Sequence, residues 1–246
     1  MKKISGLLIL LIAACSTPPP TGEEIVNQAI SASATDKLRK ANASFSFRGI
    51  NYQYSFDNGN YEYSRVLSDN AGNVINDILK NDGLVIYINQ EETQITEERR
   101  AAYTRSVNSV IYFAFLPNWL HDPAVNKQYE GEVKIKGTPY HKVRVTFNQD
   151  GGGEDFDDVF YYWFSTNDLS MDYLAYSYSR DGGGMRFREA YNTRKINGVV
   201  IQDYKNLKPK KKGSVLINEM DKAFEEGRLE ELSLIELENV EIAFQN

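Results

Sequence analysis

Two stretches carry the residues best placed for chemistry: DGGGEDFDD at Asp150–Asp158 and DGGGMRFRE at Asp181–Glu189. Each opens with an aspartate and three glycines, and then the charges diverge. The first continues into Asp155, Asp157 and Asp158, the second into Arg186 and Arg188. Carboxylates beside guanidiniums suit three tasks: holding a cation, holding an anion, or acid–base work between paired groups. A phosphate loop needs G-x-x-x-x-G-K-[ST] opening a helix, and neither stretch has the lysine. A calcium hand needs spaced oxygen ligands, whereas three glycines follow Asp150. Tight turns remain. Consecutive glycines supply the positive φ that hairpins need, and D-G is a strong turn dipeptide.

The rest of the chain adds little chemistry. His121-Asp122 falls in a loop without the further ligands that a metal phosphohydrolase requires, and His141 shares strand parity with Val143, Val145 and Phe147. G-x-S-x-G, H-E-x-x-H and C-x-x-C are absent. No catalytic residue, metal ligand or cofactor is therefore assigned. A formal net charge of −6 argues against nucleic acid as a partner.

The amino end is more informative. MKKISGLLILLIAA orders two lysines, an apolar run and small residues, as a secretory signal does, and the run is too short to span a bilayer. Cys15 follows at once and is the single cysteine of the chain. Ile12-Ala13-Ala14-Cys15 resembles the lipobox of bacterial lipoproteins, where the signal is cut before a cysteine that then carries diacylglycerol and a third acyl chain. Ser16 is not the aspartate that retains many such proteins at the inner membrane, so the resemblance implies the outer membrane. Residues 1–14 then form the signal, 15–22 a lipidated, proline-stiffened tether and 23–246 one domain. With its cysteine acylated, that domain depends on packing for stability.

Several elements must position the charged turns. Thr21 and Glu24 form a T-x-x-E capping box ahead of Ile25, Val26, Ala29 and Ile30, which share one helical face. Apolar residues alternate through Ala43, Phe45 and Phe47, then change parity after Gly49 to Ile50, Tyr52, Tyr54 and Phe56, as at a bulge or sharp bend. Asp57–Asn60 turns the chain into Tyr61–Leu67, and Leu84–Ile88 is a short buried run. Tyr103, Val107, Val110, Ile111 and Ala114 have helical spacing, which predicts one amphipathic helix over Glu97–Leu116 packed on the sheet and stopped by Pro117. Six strands follow, at Gly131–Lys136, Tyr140–Asn148, Phe156–Ser165, Met171–Arg180, Met185–Thr193 and Val199–Tyr204. KNLKPKKKG then reads as a basic connector, followed by an acidic tail with a short helix near Met220–Glu226 and a final strand around Val240–Phe244.

The predicted fold class is α+β. A strongly curved antiparallel sheet forms a half-barrel meander, with two or three helices packed on or across it. Two strands separate the glycine turns, which puts both turns at one end of the sheet, their strands roughly 10 Å apart. That arrangement makes a charged rim of Asp155, Asp157, Asp158, Arg180, Arg186 and Arg188. FDDVFYYWFS is aromatic on both faces, so both sides of the sheet need cover.

YHKVRVTF, FDDVFYYWF, MDYLAYSYS, GGMRFREAYN and INGVVIQDY, between Tyr140 and Tyr204, resemble an uncharacterised family of Gram-negative bacterial lipoproteins, a domain of unknown function. The likeness extends more weakly to Phe47-Arg48 and Leu116–Val125. The plan is also similar to the lipoprotein carrier and receptor of the Lol system, in which a curved half-barrel encloses an apolar cavity under helices. The first expectation is a non-enzymatic outer-membrane lipoprotein, attached by acyl chains, with a lipid or other apolar molecule in its concave face. Tyr162, Phe164, Tyr176, Tyr178 and Tyr191 are the candidate contacts. A second reading is an envelope protein-interaction module with a filled core, and a third is a hydrolase or lyase using the rim. A carrier needs a cavity, an interaction module needs none, and an enzyme needs the rim charges to converge in a cleft.

Overall fold

A computed structural model describes residues 18–150, 156–180 and 182–245. These residues build two seven-stranded antiparallel sheets, neither closed on itself, and three α-helices. The first sheet runs β14 (Glu238–Phe244), β1 (Lys40–Phe47), β2 (Ile50–Asp57), β3 (Asn60–Ser68), β4 (Val74–Lys80), β5 (Gly83–Ile88) and β6 (Glu91–Glu92). The second runs β13 (Leu229–Ile235), β12 (Val199–Pro209), β11 (Gly184–Ile196), β10 (Met171–Tyr178), β9 (Val159–Ser165), β8 (Thr138–Phe147) and β7 (Val125–Ile135). The helices are α1 (Gly22–Ser33), α2 (Glu97–Ala114) and α3 (Met220–Glu225). The α+β meander is present, and its strands divide between two sheets.

Local chemistry explains where the elements begin and turn. Thr21 accepts from the Glu24 amide at 3.1 Å while Glu24 accepts from the Thr21 amide at 2.8 Å, closing the capping box of α1. A side chain at Gly22 would meet the Lys127 carbonyl at 2.7 Å, so glycine lets α1 start directly against β7. The parity change at Gly49 is a complete reversal: Arg48 and Gly49 both have positive φ, and Phe47 faces Ile50 across a two-residue hairpin.

Several boundaries differ from the sequence reading: β7 starts at Val125, six residues before Gly131, and β9 at Val159, three after Phe156. The helix α2 ends at Ala114, two residues short of Leu116. KNLKPKKKG is not all connector, since β12 continues to Pro209. Its lysines are tolerated in the strand because Lys205 pairs with Glu189 and Lys208 with Glu230, each at 3.4 Å. The strand β4 was not anticipated, because Asp77 interrupts its apolar pattern; the aspartate is buried and paired with Arg65 of β3 at 2.5 Å.

The first sheet packs one face, with Phe45, Tyr52, Tyr54 and Tyr63, against Val107 and Ile111 of α2. The second sheet is buried on both faces. Phe160, Tyr162 and Phe164 of β9 pack with Ile25, Val26 and Ala29 of α1, while Tyr161 and Trp163 pack with Met220 and Ala223 of α3. Asp221 fixes α3 by accepting from Lys142 Nζ at 3.0 Å and Trp163 Nε1 at 3.3 Å.

The chain end ties the sheets together. After β13 the Leu237 amide donates to Oδ1 of buried Asp203 at 2.9 Å, and β14 then pairs with β1 of the other sheet. Oδ2 of Asp203 also meets Arg194 at 3.1 Å. Asp203→Ala should lower unfolding free energy by about 2–3 kcal/mol through loss of charged hydrogen bonds, read as a shifted urea midpoint. Lys208→Ala, which removes an exposed pair, should cost less than about 1 kcal/mol. Burial raises the phenol pKa of Tyr54, Tyr63, Tyr162 and Tyr204 above the ordinary value. The unfolded chain therefore ionises first, and the stability these neutral phenols contribute is lost as pH rises beyond about 10. Absorbance at alkaline pH should show these phenols ionising together with unfolding instead of gradually.

Candidate ligand-binding site

The two faces of α2 create the site. Helical residues lie about 100° apart around the axis, so Tyr112 and Phe113 point away from the stripe that meets the first sheet. They reach the aromatic face of the second sheet. The Tyr112 and Tyr162 hydroxyls lie 3.1 Å apart, and the Phe113 ring is 5.1 Å from that of Tyr176. Aromatic contacts of this kind contribute about 0.5–1.5 kcal/mol beyond burial. These contacts prop the helix above the sheet.

Between them is a cavity of about 520 Å³. Its roof is Asn108–Val110 and Tyr112–Ala114, and its floor includes Phe160, Tyr176 and Tyr204. Phe47 and Phe147 stand at the ends of β1 and β8, and Ile235 and Leu237 close the side under the crossover. The volume falls in the range of about 300–1,000 Å³ usual for small-molecule sites. Burial pushes the Tyr112, Tyr162 and Tyr204 phenols above their usual range; a hydrogen bond to Tyr162 acts oppositely on Tyr112, and the Arg188 charge acts oppositely on Tyr204. These phenols are neutral at physiological pH.

The rim residues separate into three groups. Asp158, Arg186 and Arg188 line the cavity. Asp157 is exposed and accepts from Ser179 at 3.0 Å, and Arg180 is exposed at the second glycine turn without lining the cavity. Asp155, like Cys15, lies outside the described residues. Among the described residues, no cluster of three or more His, Cys, Asp or Glu is placed to hold a metal.

The second glycine run has a structural role. Gly182 and Gly183 take φ of +82° and +69° in the turn. Gly184 pairs with Tyr178 across the strands, and a side chain there would lie 2.7 Å from the Tyr178 hydroxyl. The absent side chain lets the Tyr178 ring fold across the backbone, where Arg186 stacks on it at 5.2 Å.

The aromatic candidates also divide. Tyr176 and Tyr178 line the cavity. Tyr162 and Phe164 are fully buried in the core beneath α1, with Tyr162 touching the site through its bond to Tyr112. Tyr191 lies on the opposite face, since Leu174 and Tyr176 pair with Arg188 and Arg186 and put the odd-numbered residues of β11 on the other side. Its hydroxyl donates to Glu236 at 2.8 Å. Tyr112 and Phe113 were missed, although their aromatic types beside the predicted stripe were the available signal.

Arg188 stands out electrostatically. It is 7% exposed, and its guanidinium stacks on Phe113 at 3.8 Å. One nitrogen, Nη2, donates to the Tyr176 hydroxyl at 3.3 Å, while Nε and Nη1 have no hydrogen-bond partner among the described residues. An unmatched buried donor costs about 1–3 kcal/mol, more on a charged group, and stacking returns about 2 kcal/mol. On these magnitudes the arrangement costs the fold more than it returns.

Comparison with known proteins comes down to fold and family. The chain is similar to a LolA-superfamily protein from Nitrosomonas europaea, with 10% identity, 93% of this chain and 96% of that one covered, and a TM-score of 0.50. Weaker likenesses join it to a DUF1329 family protein from Desulfovibrio piger (12% identity, 89% and 92% covered, TM-score 0.44). Another is to a domain described as an outer membrane lipoprotein-sorting protein from Vibrio parahaemolyticus (8% identity, 81% and 97% covered, TM-score 0.42). Among curated proteins, none matches the chain. Residues 10–237 match the family of unknown function DUF6503, and the chain belongs to that family.

Proposed function

We propose that this protein is a lipid-anchored component of the bacterial outer membrane, facing the periplasm, that holds an apolar ligand in the cavity beneath α2. The cavity itself carries this reading: about 520 Å³ of space is walled by Phe47, Phe113, Phe147 and Phe160 in a protein otherwise densely packed with aromatic rings. An interaction module with a filled core has no need of such a space. A LolA-like fold is compatible with a cavity of this kind and supplies no ligand identity. No reaction is assigned, and Asp157, turned to Ser179 at the surface, does not join the charged groups that line the cavity.

Attachment in this reading rests on Cys15 in its lipobox-like setting. Each buried methylene contributes about 0.8 kcal/mol, so several acyl chains hold the protein firmly where one would not. The tether would place the cavity within reach of the membrane surface. Acyl chains there are the most abundant apolar ligand available.

Two experiments address the two halves of the proposal. Metabolic labelling with palmitate in a Gram-negative host should mark the full chain, with the label in the outer-membrane fraction, and Cys15→Ser should abolish it; label retained by the variant would rule out this anchor. For the cavity, the neutral fluorophore N-phenylnaphthylamine should bind and brighten. Ala114→Trp, which fills the space from the end of α2, should weaken that binding by about tenfold or more, since a few kcal/mol of apolar contact is displaced. Unchanged binding by a folded Ala114→Trp protein would place the fluorophore elsewhere.

A further inference from the structure

The apolar-ligand reading leaves the charge inside the cavity unexplained. An acyl chain needs no cation beside it, and burying one without a counter-ion is unfavourable. Arg188 is nonetheless 93% buried in the cavity wall, on the floor strand β11, with the aromatic residues Phe113 and Tyr176 against it. None of the ion pairs formed among the described residues involves it.

The stacking on Phe113 does not satisfy it. A ring over the guanidinium interacts with its flat face, whereas the N–H groups point outward in the plane. Nε and Nη1 therefore keep their hydrogen-bonding capacity, and both lack partners among the described residues. The wider lining has the same bias. Among the described residues it carries one carboxylate, Asp158, against two guanidiniums, Arg186 and Arg188, and its phenols stay neutral. These lining groups bring one more positive charge than negative.

We propose that the ligand is a single-chain amphiphile with one anionic head group, the head held by Arg188 and the chain lying along Phe147, Phe160 and Val110. The inference rests on the apolar-ligand reading and adds the ligand's class. A carboxylate or phosphate oxygen supplies the in-plane acceptors that Nε and Nη1 lack, and its charge balances the excess cation. Arg186, half-buried on the same strand, adds a second donor group on the side of the second glycine turn. The cost of the unmatched guanidinium is then released on binding, which makes the anion itself part of the driving force.

Displacement of N-phenylnaphthylamine from the full chain carrying Cys15→Ser tests this with three ligands of equal chain length, all below micelle-forming concentrations. Palmitate and hexadecyl phosphate present the two anionic heads, and hexadecanol presents a neutral one. Both anions should displace at roughly tenfold lower concentration than hexadecanol, as a gained charge-assisted hydrogen bond implies. The tighter of the two identifies the head. Arg188→Met should erase the gap by weakening both anions to the level of hexadecanol, and its thermal midpoint should equal or exceed that of the parent, because an unmatched buried charge is replaced by an apolar side chain. Equal displacement by all three ligands overturns the proposal without reference to any variant, and so does a gap that survives Arg188→Met. If no ligand displaces the fluorophore, the apolar-ligand reading fails first and this inference falls with it.

Discussion

The structure depends on one helix having to satisfy two sheets at once. Val107 and Ile111 of α2 are fixed in the core of the first sheet, so the helix cannot settle onto the second. Contact there is made by Tyr112 and Phe113, whose rings span the remaining distance. Large aromatic side chains can bridge such a gap at their tips and leave space between their stems. The cavity is what is left.

The second sheet makes that gap consequential. Buried on both faces, it requires a cover on each side, and α3 supplies one through Met220, Ala223 and the Asp221 bonds. On the other side α1 covers the end bearing Phe164, while α2 covers the end nearest the second glycine turn incompletely. The crossover at Leu237, fixed by Asp203, closes the remaining flank. Removing that stitch would loosen the wall of the cavity together with the link between sheets.

Much of this architecture was legible in residue order. The capping box, the aromatic alternation on β9 and the second glycine turn all follow from short-range rules, and short-range rules need only neighbours in sequence; the first glycine run, 151–153, lies outside the described residues. What could not be read depends on partners distant in the chain. The strand β4 is hidden because Asp77 is neutralised by Arg65 twelve residues away. Tyr191 was placed with Tyr176 and Tyr178, yet the register of β10 against β11 sets its face, and turn length alone does not fix that register. The opposing charges after the glycines were visible as a rim. That two of the arginines turn inward beneath a helix, with one of them buried, depends on where α2 comes to rest.

The same geometry sets Arg188 apart from the rest of the rim. An exposed arginine at a hairpin mouth is well solvated and nearly neutral in energy. Moved under Phe113, it becomes a buried cation in an aromatic chamber, stable only because the surrounding fold is stable. The central claim is that this chamber is occupied in the cell. Native mass spectrometry of the Cys15→Ser protein, purified gently from the bacterial envelope, tests it most directly. The account predicts a protein ion carrying one additional mass of a single-chain amphiphile, lost on solvent extraction and absent from Ala114→Trp. A bare chain mass, from protein that has never met detergent, would contradict it.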